Sequence, residues 1–358
     1  MKKKIIFSTI FILFLGLFFL WQGIYLPKNP FSEKEVIFNI EKGQGSKEIA
    51  INLEKQGLIK WTPFFRFYVY QKGVSGKLQA GMYQLFPSMN IPQIVEKFIK
   101  GDVISEKITI IEGWNLRDIG WYFEGRGMFQ AEELFELVGF PLIDYSKTTD
   151  LPKPKDFSQK YDFLKDKPKN LNLEGYLFPD TYKLNKGSFV EDVVEKMLEN
   201  FDKKLTLDLR EEIKNQKKTI FEIITMASLI EKEVKTKEDK EVVSGILWKR
   251  LKNNIPLQVD ATISYITGKK TTDPEGVASR PYGARISVEE TKIDSLYNTY
   301  KYKGLPLCPI CNPGLESILA AIYPKNSEYW YYLSTPEGET IFSKTLEEHN
   351  IAKAKYLK

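Results

Sequence analysis

The chain has 358 residues, of which 42% are apolar, 13% aromatic and 28% charged, as in a globular protein with room for two or three domains. The net charge is only +5 and no basic helix alternates with aromatic residues, so we expect no nucleic-acid partner. One His and two Cys are too few for a structural zinc site, and His349 is the single candidate base for a histidine relay. Carboxylates therefore remain as the groups for acid–base chemistry.

The first predicted element is an apolar helix at residues 5–26, preceded by a short basic tail at residues 1–4. An uncharged run of this length crosses a bilayer. The positive-inside rule keeps the tail in the cytoplasm and places the rest of the chain outside, with Trp21 and Tyr25 at the outer interface. A cleaved signal peptide is the alternative, but the run exceeds its usual apolar region and no A-x-A site follows. We expect a single-pass anchor in the cytoplasmic (inner) membrane.

Residues 35–105 alternate short strands and helices. The predicted elements are a strand at 36–40, a helix capped by Ser46, a helix at 63–70, a strand around GMYQLF and a helix at 91–99. This is a small α+β module of a size that folds alone, and its simplest role is that of a spacer.

Residues 106–358 carry more and longer helices. The predicted elements are a strand at 107–111, helices at 131–138, 190–203, 219–234 and 241–251, a strand at 255–265, a hairpin at 328–342 and a terminal helix. Residues 141–172 are rich in Lys, Asp and Pro and are interpreted as a surface loop or partly ordered insertion. The predicted fold class is α+β, with a transmembrane helix, a small module and a larger mixed α+β domain.

Glu231 is the unusual residue of the predicted helix at 219–234. A step of 100° per residue places it on the apolar stripe with Ile224 and Ala227, whereas Glu233 points the other way. A carboxylate beside apolar side chains holds a proton more readily, which suits a general acid. The alternative is a carboxylate at a helix end that reaches water or pairs with a Lys.

Three further stretches carry polar side chains that suit a sugar site. Period two along the predicted strand at 255–265 places three of them on one face, an aromatic and amide-rich segment follows at 295–304, and the turn LEGYLFPDTY is expected to expose acidic and tyrosine side chains. The candidate residues are Gln258, Asp260, Thr262, Asn298, Tyr300, Glu174 and Tyr182. An edge strand facing water and an aromatic core are the alternatives. Cys308 and Cys311 form a C-x-x-C, interpreted as a structural or incidental pair.

Seven segments in order resemble one family. They are IEGWNLRDI, LEGYLFPDTY, ASLIEKEV, LQVDATISY, YNTYKYKGLP, PICNPGLESILAAIYP and FSKTLEEHN. The chain from about residue 36 to its end, together with the anchor, is similar to the endolytic murein transglycosylases, the MltG/YceG-like family.

The resemblance implies an enzyme that cleaves the MurNAc–GlcNAc bond within peptidoglycan strands, leaves 1,6-anhydro-MurNAc ends and acts in cell wall synthesis and remodelling. It also implies a LysM-like module at 35–105, a catalytic domain at 106–358, a role as terminator of glycan polymerisation, and cell wall synthesis proteins as partners. Glu231 falls on the position of the catalytic acid. Gln258, Asp260, Asn298, Tyr300 and Asn312 lie in shared motifs and are expected to line the pocket.

Two other functions compete with this expectation. The first is a non-catalytic scaffold that binds the cell wall. The second is a conventional hydrolase, which needs a second carboxylate, for which Asp260 and Glu174 are the candidates.

Overall fold

The computed structural model describes residues 2–147, 150–268 and 286–357. Two compact units divide the chain: the first unit comprises the chain up to Ile108 together with Lys183–Ser188, and the second unit comprises Thr109–Tyr182 and the chain from Phe189 onward. Residue 1 of the predicted tail, the side chains of residues 2–4, and residues 148–149 of the predicted insertion lie outside the described part.

The first unit combines one long apolar helix with short elements. These are α1 (Lys2–Tyr25), β1 (Val36–Ile40), α2 (Ser46–Lys55), α3 (Thr62–Gln71), β2 (Gly81–Leu85) and α4 (Ile91–Lys100). Strands β1 and β2 are antiparallel, with Val36 opposite Leu85 and Ile40 opposite Gly81. The predicted strands and helices of this part of the chain are confirmed, but the predicted cap is wrong, because Gly45 is the N-cap of α2 and Ser46 is its first residue.

Two local signals set the bounds of α4. Asn90 and Gln93 form a reciprocal capping box at its start, and Gly101 ends it in the left-handed conformation at φ 63°. The buried face of α4 carries Phe98, whose ring contacts Tyr83 of β2 at 4.7 Å between centroids. This aromatic pair lies in the core of the first unit.

Helix α1 is the one helix in the described residues that is long and apolar enough to cross a membrane. The candidate span is Ile5–Tyr25, with a mean hydropathy of 2.3. This agrees with the predicted apolar helix at 5–26.

Strand β3 (Ser105–Thr109) pairs with β4 (Thr181–Asn185) in a second two-stranded sheet. Most residues of both strands belong to the first unit. The second unit is mostly helical. Its helices are α5 (Leu116–Gly125), α6 (Ala131–Val138), α7 (Val190–Lys204), α8 (Leu207–Asn215), α9 (Ile220–Glu233), α10 (Lys237–Lys252), α11 (Asp260–Thr267), α12 (Leu315–Ile322) and α13 (Leu346–Tyr356). An antiparallel hairpin of β5 (Tyr331–Ser334) and β6 (Thr340–Ser343) completes it. The mixed α+β class is confirmed.

Helix α9 is the centre of the second unit. Thr219 caps its start in a capping box with Glu222. Every residue from Ile223 to Glu231 is buried, because α8, α10, α11 and α12 all pack against the helix. A helix that is apolar on all sides is a core helix, so the carboxylate of Glu231 is placed in the interior of the unit.

The predicted strand at 255–265 is wrong, because Asp260 starts helix α11. Gln258 has a φ of 56°, a left-handed backbone conformation that a strand does not allow. Thr262 and Ile263 then lie on the buried side of the helix, and Gly268 ends it at φ 64°.

The predicted insertion at 141–172 contains no α-helix or strand in its described residues, but it is packed. One 3-10 turn, Asp162–Leu164, places the Phe163 ring 4.7 Å from that of Phe201 on α7. Cys308 and Cys311 are both buried free thiols, so the C-x-x-C is not a disulfide here.

Candidate active site

The carboxylate of Glu231 lies at the start of helix α12. Its Oε2 accepts hydrogen bonds from the Gly314 N–H at 3.0 Å and from the Ser317 hydroxyl at 2.6 Å. Gly314 is the N-cap of α12, so the carboxylate also lies at the positive end of the helix dipole. Glu231 is only 6% exposed. The prediction that this acid belongs to the interior is confirmed, but polar donors surround it as well as apolar side chains.

Lys240 supplies the positive charge at this site. Its Nζ lies 3.5 Å from Oε1 of Glu231, and the two side chains are 4% and 8% exposed, respectively. Lys240 projects from the first turn of α10, whereas Glu231 is near the end of α9. The short connection between these helices therefore brings a buried ion pair together.

Glu112 is a second carboxylate at the same place, and the sequence analysis missed it. A Cβ atom on Gly314 would come within 2.0 Å of Oε1 of Glu112, so the two carboxylates meet at the Gly314 backbone. Desolvation and then the negative charge of Glu231 raise the pKa of Glu112, while Lys240 opposes the rise. The position of Glu112 before Gly113 in IEGWNLRDI is its only sequence signal, because it belongs to no periodic element.

Glu233, the last residue of α9, lies in a separate polar cluster. Its Oε2 accepts a hydrogen bond from the Tyr332 hydroxyl at 3.0 Å. Burial is the largest cause that raises the pKa of Glu233 to about 7, and the negative charge of Asp260 is the second. Glu233 therefore titrates near neutral pH, although it does not share the donors that hold Glu231.

Three of the predicted substrate-binding residues come together near Glu233. The Arg250 guanidinium donates to Oε1 of Gln258 at 2.8 Å, and the Tyr300 hydroxyl donates to Asp260. Gln258 and Asp260 are exposed, and Tyr300 is partly exposed. These side chains are available to a ligand.

The other five predicted substrate-binding side chains are buried and hydrogen-bonded within the protein. They are Thr262, Asn298, Asn312, Glu174 and Tyr182. Asn298 donates from Nδ2 to two loop carbonyls, and the Tyr182 hydroxyl donates to the Phe178 carbonyl. Asn312 accepts from the Leu177 N–H at 2.9 Å. The turn LEGYLFPDTY therefore does not expose Glu174 and Tyr182, and that expectation is wrong.

Glu174 is buried because its carboxyl group caps helix α5. It accepts from the Leu116 N–H at 3.1 Å and from the Tyr265 hydroxyl at 2.9 Å, and it is 0% exposed. Burial raises the pKa of Glu174 to about 8, against these hydrogen bonds, which lower it. The carboxyl group is therefore largely protonated at neutral pH.

Replacement of Glu174 by Gln should change how stability depends on pH. Between the ordinary pKa of 4.5 and the folded value of about 8, the unfolded chain loses this proton and the folded chain keeps it. This group therefore lowers the free energy of unfolding as pH rises, by at most about 1.4 kcal/mol per pH unit. Urea unfolding at several pH values should show that the free energy of unfolding of the variant rises relative to that of the wild type from pH 5 to 8. Glu238→Gln, at an exposed carboxylate, is the control, and parallel curves for Glu174→Gln would contradict the prediction.

Replacement of Asp260 by Asn should lower the pKa of Glu233. The variant removes the negative charge that contributes to the raised value of about 7, so Glu233 should ionise at a lower pH. NMR titration of carbon-13-labelled Glu side chains, assigned with Glu233→Gln, measures the shift. Asp208→Asn, at an exposed site on α8, should leave the titration unchanged. An unchanged pKa in Asp260→Asn would show that the two carboxylates are not coupled.

A cleft of about 360 Å³, open to solvent, lies between α5, α9 and α11 in the second unit. Arg117, Trp121, Lys232, Ser264 and Tyr265 line it. Its lining does not include Glu231, although Lys232 is the next residue on α9. The cleft therefore offers aromatic and cationic side chains to a ligand, and one of them, Lys232, is the sequence neighbour of Glu231.

The mixed α+β fold thus holds a buried carboxylate at a helix N-terminus, with a buried lysine and a second carboxyl group beside it. The chain belongs to the YceG-like family, whose model matches residues 38–355. The family predicted from the seven sequence segments is therefore confirmed.

Curated relatives carry one name. The chain is 34% identical over 346 residues to the endolytic murein transglycosylase of Bacillus subtilis (strain 168), covering 96% of this chain and 90% of that protein. It is 32% identical over 343 residues to the endolytic murein transglycosylase of Streptococcus pneumoniae (strain ATCC BAA-255 / R6), covering 91% of this chain but only 59% of that protein.

A solved structure supports the same family. The crystal structure of a yceG-like protein from Listeria monocytogenes superimposes with a TM-score of 0.56 at 31% identity. The match covers 89% of this chain and 99% of that chain.

Proposed function

We propose that the protein is an endolytic lytic transglycosylase that cleaves the MurNAc–GlcNAc bond within peptidoglycan strands and leaves 1,6-anhydro-MurNAc ends. The observation that carries the proposal is the buried carboxylate of Glu231, held by the Gly314 N–H, the Ser317 hydroxyl and Lys240. The shared name of the curated relatives supports the substrate and the reaction.

In the first step, Glu231, protonated in the complex with substrate, donates its proton to the glycosidic oxygen. We assign the proton to Oε1, which faces Lys240 in the free protein, because Oε2 already accepts two hydrogen bonds. The bond between C1 of MurNAc and the leaving oxygen breaks, and positive charge develops at C1 and the ring oxygen. The Glu231 carboxylate formed in this step is stabilised by Lys240 and by the dipole of α12.

In the second step, the C6 hydroxyl of the same MurNAc attacks C1. Its proton passes to the Glu231 carboxylate, which restores the starting acid, and the new C6–O–C1 bond closes the 1,6-anhydro ring. The substrate acetamido group assists at C1. One carboxyl group serves both steps and no water is consumed, so a metal or organic cofactor is not needed.

The two second carboxylates predicted for a conventional hydrolase are not placed for that role, and Glu112, beside Glu231, is the carboxylate that a hydrolase would use instead. Glu174 is 0% exposed and caps α5, so it does not reach a substrate. Asp260 is exposed but accepts from Tyr300 in the Glu233 cluster. We assign Gln258, Asp260 and Tyr300 to glycan binding, in line with their exposure.

The site works, in this proposal, on the outer side of the cytoplasmic membrane. Helix α1 is the single-pass anchor, with the N-terminus in the cytoplasm as the basic tail predicts. We further propose that residues 35–105 are a LysM-like module that binds glycan, supported by its two helices between paired strands. Partner proteins of cell wall synthesis and a role in ending glycan polymerisation belong to the same proposal.

Incubation of the purified full-length protein with glycan strands tests the function. Chromatography and mass spectrometry of the new ends separate the three candidates. The proposal expects 1,6-anhydro ends; reducing ends would indicate a hydrolase, and uncut strands would indicate a non-catalytic wall-binding protein.

A further inference from the structure

Helix α3 of the first unit exposes several large aromatic side chains. Trp61 at its N-cap is 51% exposed, Phe67 is 43% exposed and Tyr70 is 82% exposed. Aromatic surface of this size on a short helix is costly in water, and Trp and Tyr are enriched where protein meets the surface of a bilayer. The packing of α3 indicates what covers this surface.

Helix α3 lies along the last turns of the apolar helix α1. The Phe64 ring contacts Phe19 at 5.5 Å between centroids, and Tyr68 contacts Tyr25 at 6.5 Å. A Cβ atom on Gly23 would lie 2.3 Å from the Phe64 ring, so the two helices are in close contact. The earlier residue of α3 contacts the earlier residue of α1, so the two helices run in the same direction. The start of α3 therefore lies at the level of Phe19, and its end lies at the level of Tyr25.

The length of α1 places this contact at the membrane. Residues 5–19 are exposed on all sides of the helix. Together with the backbone of residues 2–4, which continues the helix, they span about 27 Å, close to the hydrocarbon thickness of about 30 Å. Residues 20–25 add about 9 Å and reach into the outer headgroup layer. These are the residues against which α3 packs, because Ile24 is buried in the core of the first unit and Leu20 packs against that core.

A charged group limits how deep α3 lies. The Glu54 carboxylate accepts from the Thr62 N–H at 2.6 Å at the start of the helix. Its hydrogen bonds with Thr62 and the nearby Lys28 lower the pKa of Glu54, so it is ionised. An ionised carboxylate is too costly for the hydrocarbon core but is stable among headgroups. Lys60 and Arg66 are exposed on either side of Trp61 in sequence and suit lipid phosphates.

We propose that α3 is an interfacial helix that stands beside the outer end of α1 in the headgroup layer, with Trp61 and Phe67 in contact with phospholipid. The first unit is thereby held against the membrane by two helices, α1 through the bilayer and α3 along the outer end of α1. This inference rests on the proposed role of α1 as an anchor, but it does not depend on the transglycosylase reaction.

Nitroxide labels on single cysteines test the depth of α3. The full-length protein is reconstituted in vesicles of phosphatidylcholine and phosphatidylglycerol, with Trp61→Cys, Phe67→Cys, Lys72→Cys or Phe11→Cys. The native cysteines are both 0% exposed, so the unmodified chain measures background labelling. Power saturation then compares collisions with oxygen, which concentrates in lipid, and with a nickel chelate, which stays in water.

Labels at positions 11, 61 and 67 should favour oxygen, and the label at position 72, just past the end of α3, should favour the chelate. Phe67→Cys keeps the packing of Trp61 on Phe64, so a folding defect of Trp61→Cys does not remove the test. If the labels at positions 61 and 67 collided mainly with the chelate while the label at position 11 collided mainly with oxygen, the interfacial position of α3 would be wrong but the anchor would stand. Chelate preference at 11 would overturn the anchor and this inference, while leaving the cleavage assay unaffected.

Discussion

Replacement of Glu231 by Gln is expected to reduce the formation of 1,6-anhydro ends by at least about 10²–10⁴-fold, the usual contribution of a general acid. The amide keeps an oxygen that accepts from the Gly314 N–H and the Ser317 hydroxyl, but it has no acidic proton to donate. The rate of new anhydro ends from purified glycan strands measures the loss.

Two variants on the same helix are the controls. Glu222→Gln retains a side chain able to complete the capping box with Thr219 and should cleave at the wild-type rate. Glu233→Gln tests the neighbouring carboxylate, which accepts a hydrogen bond from Tyr332 in the separate polar cluster. Cleavage retained in Glu231→Gln but lost in Glu233→Gln would move the acid to Glu233.

Replacement of Lys240 by Met is expected to destabilise the fold by about 3–5 kcal/mol at neutral pH, because it leaves the buried charge of Glu231 without its partner. Both side chains of the pair are under 10% exposed, at 4% and 8%. Urea unfolding of the full-length protein, followed by circular dichroism, measures the change.

The double variant Glu231→Gln with Lys240→Met separates stability from catalysis. It removes both buried charges, so it should recover most of the stability that either single variant loses. It should nevertheless remain inactive, because the proton donor is gone. Lys237→Met, at an exposed position on the same helix, should leave stability unchanged. A double variant as unstable as the sum of the single variants would show that the pair is not coupled.

Local signals in the sequence predict many of the elements. The bounds of β1 (Val36–Ile40) and α6 (Ala131–Val138) agree with prediction, because clear alternation or a following glycine marks each of them. Prediction is wrong where two periods compete. Residues 257–263 alternate polar and apolar side chains, but Asp260 in a first helical turn and Gly268 after the last are helix signals, and tertiary packing favours the helix.

The candidate site is predictable only in part, because its groups come from distant segments. Helical phase identifies Glu231, whereas Glu112, Lys240 and Ser317 meet it only through the packing of other elements around α9. Glu174 illustrates the opposite case. Its sequence neighbours indicate an exposed turn, but its carboxyl group caps α5, a partner 58 residues away in the chain.

Cleavage of glycan strands in water enriched in heavy oxygen tests the central claim most directly. An intramolecular attack by the C6 hydroxyl uses no water, so mass spectrometry should find the new MurNAc ends in the 1,6-anhydro form and without heavy oxygen. New reducing ends that carry heavy oxygen at C1 would show that water is the acceptor and would contradict the transglycosylase assignment.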